Sequence, residues 1–405
     1  MGFEGIYFDH AATTPVHPEV VEAMLPYLQE GFPNPSSIHA AGRGVREAVN
    51  EARERVAGLI RSTPDEIVFA SGGTESATMA ILGAAFKLES NGKRGHIVTT
   101  AIEHPAVLGA CQFVEQRGHE VAYVRPNTNV RVEPQAIIEA FQPETFLVTM
   151  MYVNNEVGTV QPVREVAQAA RERGILMHCD GVQAVGKMPV DVGELGVDLF
   201  TFTGHKYGGP KGAGALYIRQ GVELTPLCAG GKQERGRRGG TENVPGIVGF
   251  GKASQLVSVH LEENVRHVRQ LRERLLEQLS NISSTRLNGD PAHTVSHIMS
   301  VCLIYVDALL LVLNLSQRGI YLSVGSACAS GKLEPSYVLN AAGMSDFASF
   351  CSVRFSLGPS NTLEEVATVG KKVAELADLL RKVRRPEEIG QCDENCPCLW
   401  AGGTA

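Results

Sequence analysis

An α/β architecture, with a large mostly parallel-sheet domain followed by a smaller α+β domain, is what this sequence predicts, on three observations. Short apolar runs repeatedly precede turns and amphipathic helical patterns through the first half of the chain. One such run feeds the glycine-rich stretch TGHKYGGPKG at 203–212, the kind of strand-end loop on which α/β enzymes present their chemistry. Past residue 249 the spacing changes to one long helical pattern, and then to a second, smaller mixture of strands and helix.

Taken in order, residues 67–70 read as a strand entering SGGTES, with a helix over 74–86. Further strands are expected over 96–99, 145–152, 175–178, 197–202 and 213–218, and a helix over 162–173. The helical pattern of 249–279 carries Leu256, Val259, Val265, Val268, Leu271 and Leu275 and connects the two domains. Beyond it, strands are expected over 298–303 and 353–355, then a helix over 363–380 whose Thr362 and Glu365 suit a capping box. The expected divisions are 1–15, a segment returning to pack with the small domain; 16–260, the large domain; 261–385, the small domain; and 386–405, a cysteine-bearing tail beginning at Pro386.

A hydrophobic content of 43% in 405 residues supplies a substantial core, and a net charge of -7 gives no general pull toward nucleic acid or anionic membrane. Arg235, Arg237 and Arg238 form the densest local basic cluster, a possible exception for a small acidic ligand or a protein partner. No signal-peptide pattern follows Met1, and Asp307 and Asn314 interrupt the apolar run 301–315, so neither secretion nor a membrane span is expected; the location expected is cytoplasmic. Of nine cysteines, Cys111, Cys179, Cys228, Cys302 and Cys351 stand alone and are expected to be buried, inert thiols.

Four stretches carry chemistry. In SGGTES, two glycines between Ser71 and Thr74 at a strand-to-helix junction can cradle a phosphate on backbone N–H groups, although a plain turn has the same composition. Asp180 in MHCDGVQ can hold a protonated heteroaromatic nitrogen, or simply cap a helix. Lys206, 26 residues further on, has an amine able to condense with pyridoxal phosphate and then move a proton at a substrate Cα. Cys328 lies in SVGSACASGKLEPS, whose small residues predict an exposed loop where a thiol can reach a ligand.

The ordered blocks YFDHAATTP, PNPSSIH, SGGTES, EHPAVL, NNEVG, HCDGVQAVGK, GHKYGGPKG, ERGRRGGTEN and GSACASGKLEPS resemble the cysteine desulfurase family, in its nitrogen-fixation and iron-sulfur-assembly branch. The resemblance spans about residues 7–380, with Pro33 standing where the family has a glycine. It implies a fold-type-I pyridoxal 5'-phosphate enzyme, active as a homodimer, that converts L-cysteine to L-alanine and leaves the sulfur as a persulfide on Cys328. By the same resemblance Lys206 bonds to the cofactor aldehyde, and Asn155 and Gln183 meet its phenolic oxygen. Gly73, Thr74, Thr203 and His205 surround the phosphate, with Thr241 reaching across the dimer. His104 stacks on the ring and carries protons, while Arg354, with help from Asn155, binds the substrate carboxylate. An iron-sulfur scaffold or another sulfur-acceptor protein is the implied partner. Selenocysteine lysis, an aminotransferase activity and a nonenzymatic assembly scaffold are the alternatives. Cys392, Cys396 and Cys398, at CxxxCxC spacing, fall outside the resemblance and are compatible with a free tail, a metal or iron-sulfur ligand set, or a thiol relay.

Overall fold

A computed structural model describes residues 4–325 and 334–383. After β1 (Ile6–Tyr7), the strands β2 (Ile67–Ala70), β3 (His96–Thr100), β4 (Glu120–Val124), β5 (Thr145–Met151), β6 (Leu176–Asp180), β7 (Leu199–Thr203) and β8 (Gly214–Ile218) build one seven-stranded sheet. Its order is β2-β8-β7-β6-β5-β3-β4, with β8 antiparallel to both neighbours and the remaining pairs parallel. Helices cover such a sheet on both faces, so β3, β5, β6 and β7 are buried almost throughout, and the apolar residues this places in each strand are what the sequence shows. β4, at the edge, is half exposed and lacks that signal; the sequence analysis missed it.

The second sheet is antiparallel, in the order β12 (Ser323–Val324), β13 (Ser352–Ser356), β10 (Ile298–Leu303) and β9 (Thr285–Asn288). Its own core contains Phe8, Leu271, Leu275, Leu311, Phe355 and Val369. β1 pairs in parallel with β11 (Ile320–Tyr321), and Phe8, which follows it, is fully buried in that core. The chain's beginning is thus tied to residues more than 300 positions away.

One 37-residue helix, Val244–Ser280, joins the two cores. Val244, Ile247, Phe250 and Val257 pack into the core of the large sheet, whereas Val268, Leu271, Leu275 and Leu279 pack into the second. The helix starts earlier than the expected 249 because Asn243 caps it by accepting from the Gly246 N–H, and Pro245 is tolerated in a first turn. At the far end of the chain the capping box forms: Thr362 Oγ1 accepts from the Glu365 N–H, and Glu365 accepts from the Thr362 N–H.

Two expectations are corrected. Cys228 is exposed, unlike the buried Cys111, Cys179, Cys302 and Cys351, because it follows an irregular segment outside the sheets. The arginine cluster is not an open basic patch: Arg235 pairs with Asp65, Arg237 donates to the Asp65 carbonyl, and Arg238 pairs with Glu75. No helix among the described residues is long and apolar enough to cross a membrane.

Candidate active site

The expected site residues gather where parallel strands end. Glu103 and His104 follow β3, Asn155 follows β5, Asp180 ends β6, and Thr203 to Lys206 follow through β7 into a short 3-10 turn. Strand C-termini in a parallel sheet leave their loops on one side, which is how residues spread over a hundred positions come together.

Lys206 is half-buried, and its Nζ donates to the carbonyls of Ala11 at 2.7 Å and Ala12 at 2.8 Å. Burial, then the Arg354 charge, pulls its pKa down to about 8, against the opposing pull of Asp180 and Asp9. A lysine amine shifted this way is neutral for part of the time near neutral pH, as a nucleophile and base must be. Gln183 donates to the same Ala11 carbonyl at 2.9 Å, so the N-terminal segment forms a wall of the site. The sequence analysis placed that segment beside the small domain and did not foresee this second role. The signal lay in YFDHAATTP itself, a polar block too rich in small residues to be a core strand.

Asp180 is buried, and its Oδ1 accepts from the Val182 N–H at 3.0 Å. Burial raises its pKa, opposed by His104 and Lys206, so a cation placed against it is strongly favoured. His104 caps the helix Pro105–Glu115 by accepting from the Ala106 N–H on Nδ1, which leaves the proton of the neutral ring on Nε2. Crowding by the surrounding protein lowers its pKa, against the pull of Asp180. The preceding Glu103 is fully buried, accepts from Thr100 at 2.6 Å and from the Met151 N–H at 2.9 Å, and is pushed up to about 8 by burial. It pins the strand end that carries His104.

Ser71, Gly72, Gly73 and Thr74 open the 17-residue helix Gly73–Glu89. A Cβ on Gly214 of β8 would stand 2.7 Å from the Gly72 backbone, so that close approach requires glycine there. Glu75 accepts from the Ser71 N–H and is paired with Arg238, which masks its charge from an anion at the helix start. Thr203 is buried and donates to the Ala213 carbonyl, while His205 contacts Thr13 Oγ1 at 3.1 Å and is held neutral, near 4, by burial and two nearby lysines. Thr241 is exposed.

Arg354 is 5% exposed and lies on β13 of the second sheet. It donates to Asp9 Oδ1 at 2.8 Å and to the Asn155 carbonyl at 2.9 Å, while its Nε has no partner. Asn155 Oδ1 is likewise buried and unpartnered. Glu156, next in the chain and buried, accepts from Ser336 Oγ. Cys328 lies outside the described residues, as do Cys392, Cys396 and Cys398; among the described residues no group of acids, histidines and cysteines could hold a metal.

These groups fit pyridoxal phosphate: a depressed lysine, a buried carboxylate for a ring cation and a glycine-rich helix start for a phosphate. Fold and site define a class, and the chain belongs to the aminotransferase class-V family, whose pattern matches residues 6–369. Within it, the chain is 47% identical over 380 residues, 94% of each chain, to cysteine desulfurase IscS of Methanosarcina thermophila. A solved NifS-like protein superposes with a TM-score of 0.87 at 36% identity, covering 93% of this chain and all of that one. SspA in complex with cysteine superposes at 0.78 with 38% identity, covering 88% of this chain and all of that one. The fold-type-I architecture, the pyridoxal phosphate dependence and the cysteine desulfurase activity expected from the ordered motifs accordingly stand.

Proposed function

We propose that this chain, as a cytoplasmic homodimer, uses Lys206, His104 and Arg354 to take sulfur from L-cysteine onto Cys328 and hands it to an iron-sulfur scaffold or a related acceptor. The observation that carries the reading is the meeting of a depressed Lys206, a buried Asp180 and a partly unsatisfied Arg354 at one strand-end cleft.

Arg354 orients the substrate by its carboxylate, to which its free Nε–H donates, with the Asn155 amide N–H assisting from the opposite side. Lys206 and Asp180 hold the cofactor, with Asn155 and Gln183 at its phenolic oxygen and Gly73, Thr74, Thr203, His205 and a partner subunit's copy of the Thr241 hydroxyl at its phosphate. When bound, the cofactor supplies an electron sink for the bonds at the substrate Cα. Lys206, neutral once displaced, takes the Cα proton. The Cys328 thiolate bonds to the substrate sulfur; the Cβ–Sγ bond breaks with its electron pair left on the carbon fragment, which leaves as L-alanine after protonation. His104, neutral with Nδ1 occupied by its helix cap, presents Nε2–H as a hydrogen-bond donor to the cofactor and substrate side of the cleft and helps handle protons there.

The dimer reading is supported by large apolar side chains exposed near the N-terminus, with Phe32 at 82% and Ile38 at 87%. Two separate cores sharing one helix support the proposed large domain 16–260 and small domain 261–385, with 1–15 packing beside the second; the proposed tail 386–405 lies outside the described residues. A cytoplasmic location suits a protein whose product is a reducible persulfide.

Incubation of cofactor-loaded protein with cysteine, followed by alanine assay and peptide mass spectrometry, tests the reading. Lys206→Ala abolishes both alanine and persulfide, a loss of about 10³-fold or more. Cys328→Ser loses the persulfide; a Cys328→Ser protein that still carries and transfers sulfur normally defeats the assignment. Turnover of selenocysteine with none of cysteine would move the substrate to the alternative.

A further inference from the structure

Glu156 is 2% exposed and stands next to Asn155, yet the chemistry proposed above leaves it without a task. Its backbone is fixed: the Glu156 and Val157 N–H groups donate to Asn154 Oδ1 at 2.9 and 3.1 Å, and the Asn155 carbonyl accepts from Arg354. Its carboxylate meets two residues from the far end of the chain. Oε2 accepts from Ser336 Oγ, and a Cβ on Gly325 would stand 2.8 Å from that same oxygen. Gly325 is not in the left-handed region, so the carboxylate, rather than the backbone, is what requires glycine there.

Gly325 and Ser336 flank the stretch that carries Cys328. Cys328 is three residues past Gly325, at most about 11 Å of extended chain, and eight before Ser336, about 29 Å. The nearer attachment therefore limits how far the Cys328 backbone can stand from the cleft. That attachment is tied to the substrate side, because Ser323 of β12 is the register partner of Arg354 on β13. A circuit closes: Arg354 holds the Asn155 carbonyl, Glu156 follows Asn155, and Glu156 bears on Gly325, two residues past the partner of Arg354. The other attachment reaches the histidine side. Tyr337 donates to the carbonyl of Glu103, next to His104, at 2.7 Å, and Ser336 Oγ also accepts from the Leu339 N–H to cap the helix Tyr337–Ala341.

Burial pushes the Glu156 carboxyl above its ordinary range, against the pull of the Ser336 hydroxyl and the Arg354 charge. An apolar side chain would join the same segments without that cost, so adhesion does not explain a carboxylate. An acceptor oxygen adds a fixed direction and distance, which positioning requires.

We propose that Glu156 is a positioning residue for sulfur transfer, fixing both attachments of the Cys328 stretch beside Arg354 so that the thiol meets the sulfur of a cysteine held by its carboxylate, an inference that rests on the roles proposed above for Cys328 and Arg354.

Single-turnover mixing of cofactor-loaded protein with cysteine tests it, with cofactor absorbance reporting substrate binding and peptide mass spectrometry reporting the persulfide. Ser336→Ala and Gly325→Ala are each expected to slow persulfide formation about tenfold or more, while the cysteine concentration giving half the absorbance change stays within about twofold. In a Glu156→Ala background the added methyl at 325 has room, and Gly325→Ala is expected to cost about twofold or less. Wild-type persulfide rates in both single variants overturn the proposal. So does a loss of cysteine binding as large as the loss of rate, or a Gly325→Ala penalty undiminished by Glu156→Ala. Wild-type persulfide that maps to a cysteine other than Cys328 defeats the Cys328 reading, and this inference with it. Cofactor absorbance and thermal midpoints report the folding of each variant; if Gly325→Ala does not fold, Ser336→Ala alone decides.

Discussion

Two arginine–carboxylate pairs in this molecule, each built on a buried arginine, differ in how completely they are satisfied. Arg53 and Glu234, 181 positions apart, exchange two hydrogen bonds of 2.7 and 2.6 Å. Arg53 also donates to the Ile67 carbonyl and lies over the Phe69 ring, and Glu234 also accepts from the Phe69 N–H. Glu234 reaches this position through a left-handed backbone at φ 47. Arg354 makes a single 2.8 Å contact to Asp9 and keeps its Nε free. The first pair is closed and holds β2 to the following loops. The second is open, as a binding group must be before its ligand arrives.

The comparison can be broken from either side. Glu234→Gln strands the Arg53 charge in the interior, so chemical denaturation is expected to show a loss of about 3–5 kcal/mol. A loss below 1 kcal/mol would mean that the closed pair is not structural. Arg354→Lys keeps charge but not the planar fork, so KM for cysteine rises about tenfold or more while stability changes far less. Equal damage to KM and stability would erase the distinction between the two pairs. Asp9→Asn, which removes the resident acid from Arg354, is expected to lower KM about two- to threefold, with a stability cost of about 1 kcal/mol or less.

The smallest effect is in pH dependence. In the role proposed for Lys206 only its neutral amine attacks the cofactor aldehyde, so capture of pyridoxal phosphate by apo-protein is expected to rise with pH with an inflection near 8. Because the folded pKa is below that of an ordinary lysine, the unfolded chain binds the extra proton above about pH 8, and apo-protein stability rises from there toward the ordinary lysine pKa. Asp9 opposes the depression, so Asp9→Asn moves the inflection lower. Stopped-flow absorbance reads the shift, and an inflection at the ordinary lysine value would show that burial does not tune Lys206.

Much of the architecture was legible because strands buried on both faces draw on apolar residues whatever their direction. β2, β5, β8 and β10 therefore stand out in the sequence, and the edge strand β4 does not. Lys206, Asp180 and His104 were legible as residue types suited to one chemistry, standing in strand-end motifs. Their local settings were less so. Nothing in SGGTES reveals that Glu75 is silenced by Arg238, and nothing in ERGRRGG reveals that its arginines are consumed by Asp65 and Glu75.

By itself, then, the sequence determined the chemistry available: a lysine, a carboxylate, an imidazole and a glycine-rich turn in an order that fits one cofactor. Only the tertiary structure decided which groups are spoken for and which are left open. Ala11 and Ala12 offer carbonyls to Lys206 across nearly 200 positions, Asp9 holds Arg354 by one prong, and the Nε of Arg354 is left buried without a partner. Residue type is local information, whereas desolvation and hydrogen-bond satisfaction depend on every chain segment that closes over a group, and those segments meet only in the folded protein.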